Sequence, residues 1–382
     1  MRAWTGISVC AALVSMLAGA CGGGSHPGDS PGAAGTGTGI GGTGGSGPGT
    51  GGTTPAVGCG YTCAQYGAAC GMYQPAQCDL IYDCGRCKEP LVCGGQGVPN
   101  ACARPGTWTI DHSVESLLIG DVMAIWGSAS NDIFAGDSWG RVIWYDGSTW
   151  QLAADFGVSV MTISASSAAD VWFGLGDGTV YQLVGSDLTP HHVAGDGISA
   201  LFAASPTDVF ACDSILCWHW DGRSWSTRMP NDTGAEDAWA APGGPLWVVS
   251  NHGWMDRWDG QSFTEVFARG TGHQFLSIRG TDANHIWAAG TDLLRYDGSH
   301  WNTAANPGQL LGYYTAVWPA GARDVWAVGT EGLIQHGDGQ FFETQPSPTT
   351  TDLLSLWGSG PADIWAGGGD RLLMHYTVGP SP

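Results

Sequence analysis

Seven times along this chain a short phrase returns. Its fullest copy reads His285-Ile286-Trp287-Ala288-Ala289-Gly290, a turn, Leu294-Arg295-Tyr296-Asp297-Gly298 and then Trp301, and its marker falls at Phe134, Trp172, Phe210, Trp247, Trp287, Trp326 and Trp365, at steps of 37 to 40 residues. No other feature constrains the fold as much. A repeat of that length is one supersecondary unit, too small to cover both faces of its own sheet, so each copy must bury those faces against its neighbours.

Within each repeat the sequence predicts four strands: an inner one such as Leu353 to Trp357, the Asp-Ile-Trp strand, a third ending at Tyr-Asp-Gly, and an outer one led by Trp. Short Gly and Asp turns join them into an antiparallel meander. Ile364-Trp365-Ala366 and Val325-Trp326-Ala327-Val328 are apolar on successive residues, so both faces of the second strand must be covered. Radially packed sheets achieve this, whereas a sandwich sheet would alternate. The expected fold is all-β, a seven-bladed β-propeller spanning 104–382. The seventh repeat stops at Met374-His375-Tyr376 without an outer strand, while Gly106-Thr107-Trp108-Thr109-Ile110 stands as an orphan before the first. If the orphan completes the last blade, the ring closes and no edge is left to aggregate.

Tyr145-Asp146-Gly147-Ser148-Thr149-Trp150, Asp221-Gly222-Arg223-Ser224-Trp225, Asp259-Gly260-Gln261-Ser262-Phe263, Asp297-Gly298-Ser299-His300-Trp301 and Asp338-Gly339-Gln340-Phe341-Phe342 resemble the Asp-box turn of sialidase-type propellers. That resemblance implies a structural turn between the third and fourth strands. The leading Ser or Thr two residues before Asp is missing, and no cluster matches the sialidase catalytic residues. WD-repeat propellers fit the motif less well, since no Gly-His pair precedes the strands. Blade two, with Val184-Gly185-Ser186-Asp187 in place of the turn, is expected to be the least regular.

The N-terminus reads as an address. Met1-Arg2 and the apolar run from Ile7 to Ala20 form an export signal (1–20) too short for a spanning helix. Ala18-Gly19-Ala20-Cys21 resembles a bacterial lipoprotein signal, which implies that Cys21 is lipidated and becomes the first mature residue. The alternative is ordinary cleavage after Ala-x-Ala. Cysteine parity favours lipidation: loss of Cys10 leaves 11 of the 12 cysteines, and only a lipidated Cys21 leaves an even number for disulfides. The Gly-, Ser- and Thr-rich stretch that completes 21–58 lacks apolar period and reads as a flexible tether. In 59–103, Cys59, Cys63, Cys70, Cys78, Cys84, Cys87, Cys93 and Cys102 crowd a segment too small for a self-sufficient core, so disulfides are its natural staple, favoured over zinc in an oxidising compartment. The segment from Asp83 to Cys102 resembles modules that follow the tether in surface lipoproteins of Gram-negative soil bacteria. The implied location is the outer membrane or cell surface.

Candidate chemistry is sparse. Thirty-four acidic against 13 basic residues argue against nucleic acid or an anionic surface as partner, because phosphate binding needs clustered cations. Cys212 and Cys217 flank a hairpin turn in blade three and are expected to bridge it. The turns after the second strands carry Asp137, Asp177, Asp213, Asn251, Asp292, Glu331 and Asp370, all on one face of a propeller. Hairpin chemistry accounts for these residues; the sharper alternative is a carboxylate ring that concentrates calcium or docks a basic partner. On the same face Trp139, Phe156, His252, Trp254, His273 and Tyr313 are candidate ligand contacts, with Trp139 and Trp254 foremost because they do not repeat at blade positions. The 11 histidines show no metal-ligand spacing, and His191-His192 reads as a loop pair.

The reading is a monomeric, non-enzymatic binding module without cofactor, lipid-tethered and holding a glycan or protein partner on the face turned from the membrane. An extracellular polysaccharide hydrolase or lyase is the rival and would need paired carboxylates at the central mouth. A purely structural envelope protein is the third.

Overall fold

The computed structural model describes residues 106–378 apart from 194–195, 231–233, 271, 305–312 and 340–341, together with Cys63, Ala68, 72–73, 82–84, 92–93 and 102–103. Seven four-stranded antiparallel sheets make a β-propeller. Blade 1 consists of Val122–Ala129, Asp132–Asp137, Arg141–Tyr145 and Trp150–Asp155. Blades 2 to 6 follow at 160–192, 200–228, 235–268, 275–303 and 314–344. No α-helix occurs among the described residues.

Closure follows the sequence expectation. Blade 7 is built from Leu353–Gly360, Asp363–Gly368 and Leu373–Thr377, and its fourth strand is Thr107–Ile110, pairing Trp108 with Tyr376. Trp108 also meets Trp326 of blade 6 edge-on at 5.7 Å. On the inner side the Ser355 hydroxyl donates to the carbonyl of Val122 at 3.1 Å, joining the last blade to the first.

The second strands are buried on both faces, as their unbroken apolar runs require: all residues of Asp324–Gly329 and Asp170–Leu175 are buried. The core is accordingly divided. Seven hydrophobic clusters occupy the seven junctions between neighbouring blades, for example Phe134 with Phe173 between blades 1 and 2, and Trp287 with Phe342 between blades 5 and 6.

The Asp-Gly turns at Asp146, Asp221, Asp259 and Asp297 are each fixed by the carboxylate. The Asp297 side chain accepts from the amides of Ser299 and His300 at 2.9 and 2.8 Å, and Gly298 takes φ +96°, a conformation that favours glycine. Blade 2 is as regular as the others, contrary to expectation. Gly185 at φ +65° and Ser186 make a two-residue hairpin, and strands Thr179–Val184 and Asp187–His192 pair along their full length. His191 therefore lies on an outer strand, not in a loop, with its ring 4.9 Å from that of Trp220.

Of the cysteine-rich segment, Cys63–Cys84 is a disulfide and Cys102 is also disulfide-bonded. Cys21, Cys59, Cys70, Cys78 and Cys87 lie outside the described residues, as does the side chain of Cys93.

Candidate functional site

Strand direction alternates within a blade, so the turns after second strands and the links between blades share one face, the connecting face. The Asp-Gly turns and the turns after first strands share the other, the Asp-Gly face. The predicted contacts belong to the connecting face, where their side chains behave differently. Trp139 is 65% exposed, and its Cδ1 fills the space that a Cβ on Gly120 would take, so the indole rests on that glycine. Tyr313 and His252 are exposed, and Trp254 is half-buried at the start of a strand. His273 is half-buried, its Nδ1 3.0 Å from an Asp292 oxygen that also meets Arg269 at 3.2 Å. Phe156 is a correction: it is 7% exposed, because its amide donates to the carbonyl of Gly140 and turns the ring inward, 4.6 Å from Tyr181 and 5.8 Å from Phe173.

The acidic turns are largely occupied with their own backbone. Asp137 is fully buried and accepts from the amides of Ile119, Gly120, Trp139 and Arg141 at 2.8 to 3.1 Å. Asp213 accepts from Ile215 and Leu216 at 2.7 Å inside the hairpin bridged by Cys212–Cys217. Asp177 accepts from Thr179, and Asn251 donates to Glu236 at 2.6 Å. Glu331 and Asp370 take φ of 57° and 56° at their turns. Among the described residues no three His, Cys, Asp or Glu side chains gather as a metal site.

A second family of carboxylates, opening the second strands, locks strands together. Asp132, Asp170, Asp208, Asp324 and Asp363 accept from Trp144, Gln182, His219, His336 and His375 of the third strand at 2.6 to 2.8 Å. Ser128 and Ser166 of the first strand also donate to their blade's Asp, at 2.6 and 2.7 Å. Ser359 does the same to Asp363. In these blades serine and third-strand donor both bond the carboxylate, and no serine–histidine bond forms, so this is a clamp and not a nucleophile with its base. Blades 4 and 5 depart from the pattern: Pro245 and His285 stand two residues before the marker, where Asp is expected, and the third-strand residue opposite the marker tryptophan is Arg257 or Arg295.

Beside the first of these departures lies a cleft of about 980 Å³ between blades 3 and 4, opening on the Asp-Gly face. Phe202, Phe210, Trp258 and the Ala241-Pro242-Gly243-Gly244-Pro245 turn wall it, and Arg228 and Arg257 line it. The sequence reading missed this cleft; what the sequence does show is Pro245 in place of Asp two residues before Trp247.

The central channel is tighter, a cavity of about 100 Å³ lined by Met123, Met161, Thr315 and Glu236 among others. That is well below the roughly 300 Å³ at which pockets enclose small molecules. Burial pushes the Glu236 carboxyl up, against the opposing hydrogen bond from Asn251. Its neighbour Asp237 is committed to Arg279 and to the amides of Ala238 and Ile278. These are successive residues of one strand and do not face each other across a mouth.

No family model and no curated protein matches this chain. Among solved structures it is similar to YCF48 from Cyanidioschyzon merolae, at 15% identity over 71% of this chain and 98% of that one, with a TM-score of 0.57. A structure of YCF48 bound to D1 peptide matches at 13% identity over 72% and 98%, TM-score 0.57, and the RRP9 WD40 repeats at 11% over 71% and 97%, TM-score 0.59. These likenesses concern the fold.

Proposed function

We propose that this chain is a non-enzymatic protein-interaction module that engages its partner on the connecting face. One observation carries the reading. Of the seven large hydrophobic side chains exposed among the described residues, five sit on that face: Ile119, Trp139, Ile215, Met229 and Tyr313. Leu152 and Val184 lie elsewhere. Exposed aromatic and aliphatic groups concentrated on one side of a propeller are the material of an interface core. YCF48, similar in fold, has been seen with a bound peptide, which is consistent with this use of the scaffold. The clamped and turn-bound carboxylates speak against the hydrolase alternative, and the scarcity of polar aromatic platforms beyond Trp139 and Tyr313 favours a protein partner over a glycan.

The lipoprotein-like signal at Cys21 and the Gly-rich tether add the setting: the propeller is held at the outer membrane or cell surface as a monomer. Thr107 and Thr377 both lie at the Asp-Gly face, so the chain enters the propeller on the side opposite the connecting face, which supports an outward-facing connecting face. Cys21→Ala should move the protein out of the membrane fraction. Envelope extract passed over the full chain should yield a partner that Trp139→Asp no longer retains while its melting temperature stays unchanged. Equal retention by the variant would overturn the assignment of the face.

A further inference from the structure

Pro245 and Arg257 break a rule that five of the seven blades obey. Where the second strand opens with Asp, a donor on the third strand satisfies it; where that Asp is missing, the third strand carries a guanidinium with no acid at the clamp position. In blade 5 Arg295 settles 5.9 Å from the Trp287 ring. In blade 4 Arg257 borders the cleft, and Arg228 of blade 3 joins it there, its guanidinium 5.4 Å from the Trp258 ring with one hydrogen bond to the carbonyl of Thr227.

Among the described residues neither Arg228 nor Arg257 makes an ion pair, in a chain of 34 acids and 13 bases where Arg141, Arg269, Arg279 and Arg323 all do. The two acids at the cleft are engaged: Asp208 by His219 at 2.8 Å, and Asp259 by the amides of Gln261 and Ser262 at 2.9 and 3.0 Å. Arg257 reaches Asp259 only through the field of its charge, the last of the causes that lower that carboxyl, so neither half-buried guanidinium has a carboxylate in ion-pair contact, and one arriving from outside would match them.

We propose that the cleft between blades 3 and 4 binds an acidic–apolar peptide segment of a partner protein. A carboxylate seats on Arg228 and Arg257, and the adjacent apolar side chain packs against Phe210 and Trp258. The lining decides between peptide and acidic sugar. Ser166 is its one neutral hydroxyl and already donates to Asp170. A sugar ring would need several such groups for its hydroxyls, whereas an apolar side chain beside a carboxylate needs the walls that are present. The site is separate from the connecting face and does not depend on it.

The test uses the full chain and a dye-labelled hexapeptide alternating Leu and Glu, read by fluorescence polarisation at low salt, with the Leu–Gln peptide as neutral control. The expected result is binding of the Leu–Glu peptide, weakened about tenfold or more by Arg257→Gln, by Arg228→Gln and by the Gln replacement. Arg223→Gln, on an exposed turn outside the cleft, and Trp139→Asp should leave it unchanged. Pro245→Asp places beside Arg257 the acid that other blades have at this position, and should abolish binding without loss of melting temperature. No binding, equal binding of the two peptides, insensitivity to Arg257→Gln and Pro245→Asp, or tighter capture of an oligogalacturonate at the same arginines would each overturn the proposal. Because Trp139→Asp spares this site, its failure and failure of the connecting-face reading are separate results.

Discussion

Phe156 and Trp139 belong to the same blade and to the same class of side chain, yet one is core and the other surface. Phe156→Ala should cost about 3 kcal/mol of stability by removing its ring from Phe173 and Tyr181. Trp139→Ala should leave thermal unfolding nearly unchanged, and calorimetry of the two variants checks the contrast. The sequence could not separate them, because position after a strand does not reveal that the Phe156 amide folds back to Gly140. The acids are a second residue-scale case. The hydroxyl of Ser148 and the amides of Thr149 and Ser148 hold Asp146 down at about 2, and the amides of His300 and Ser299 lower Asp297. Carboxyls depressed in the folded state contribute stability above their ordinary value near 4, and that stability is lost as pH falls through the folded values. Unfolding midpoints should therefore drop between about pH 4 and pH 2. Burial raises Glu236, which acts with the opposite sign and disfavours the fold above its ordinary value, so Glu236→Gln should stabilise the protein at neutral pH. Urea titrations at low pH and at neutral pH test both. Adding calcium should leave the melting temperature unchanged.

At the scale of elements, the four-strand blade was legible because its period, its turns and its doubly apolar second strand all point to one arrangement. The bridge across the blade-three hairpin was legible too: Cys212 and Cys217 are cross-strand partners with Cα atoms 4.0 Å apart. Replacing both by Ala should cost about 2 kcal/mol, measured against the wild type under oxidising conditions, while the reduced wild type should match the variant more closely. The cleft between blades 3 and 4 was not legible. Pro245 and Arg257 become informative only once strand register sets Arg257 opposite Trp247, beside the position two residues before it that Asp fills in other blades, and register is set by turns whose lengths vary from blade to blade. Apolar spacing alone also gave no reason to expect that Gly185-Ser186 would serve as well as the longer Asp-Gly turn.

For the whole molecule, the ring depends on four residues from its far end. Deleting 107–110 removes Trp108 from its contacts with Trp326 and Tyr376 and leaves the strand Leu373–Thr377 with an unpaired edge. The truncated protein should be recovered largely as aggregate, seen by size-exclusion chromatography. The closure also has a mechanical side. Thr107 pairs with Thr377 at the very end of the ladder, and the segment leading to it enters there. Tension drawn through that segment meets the pairs one after another, Thr107 with Thr377 first and Ile110 with Met374 last, so the ring peels like a zipper and never bears the load along the whole strand at once. A pull that leaves every other blade intact would convert a closed ring into an open, sticky arc.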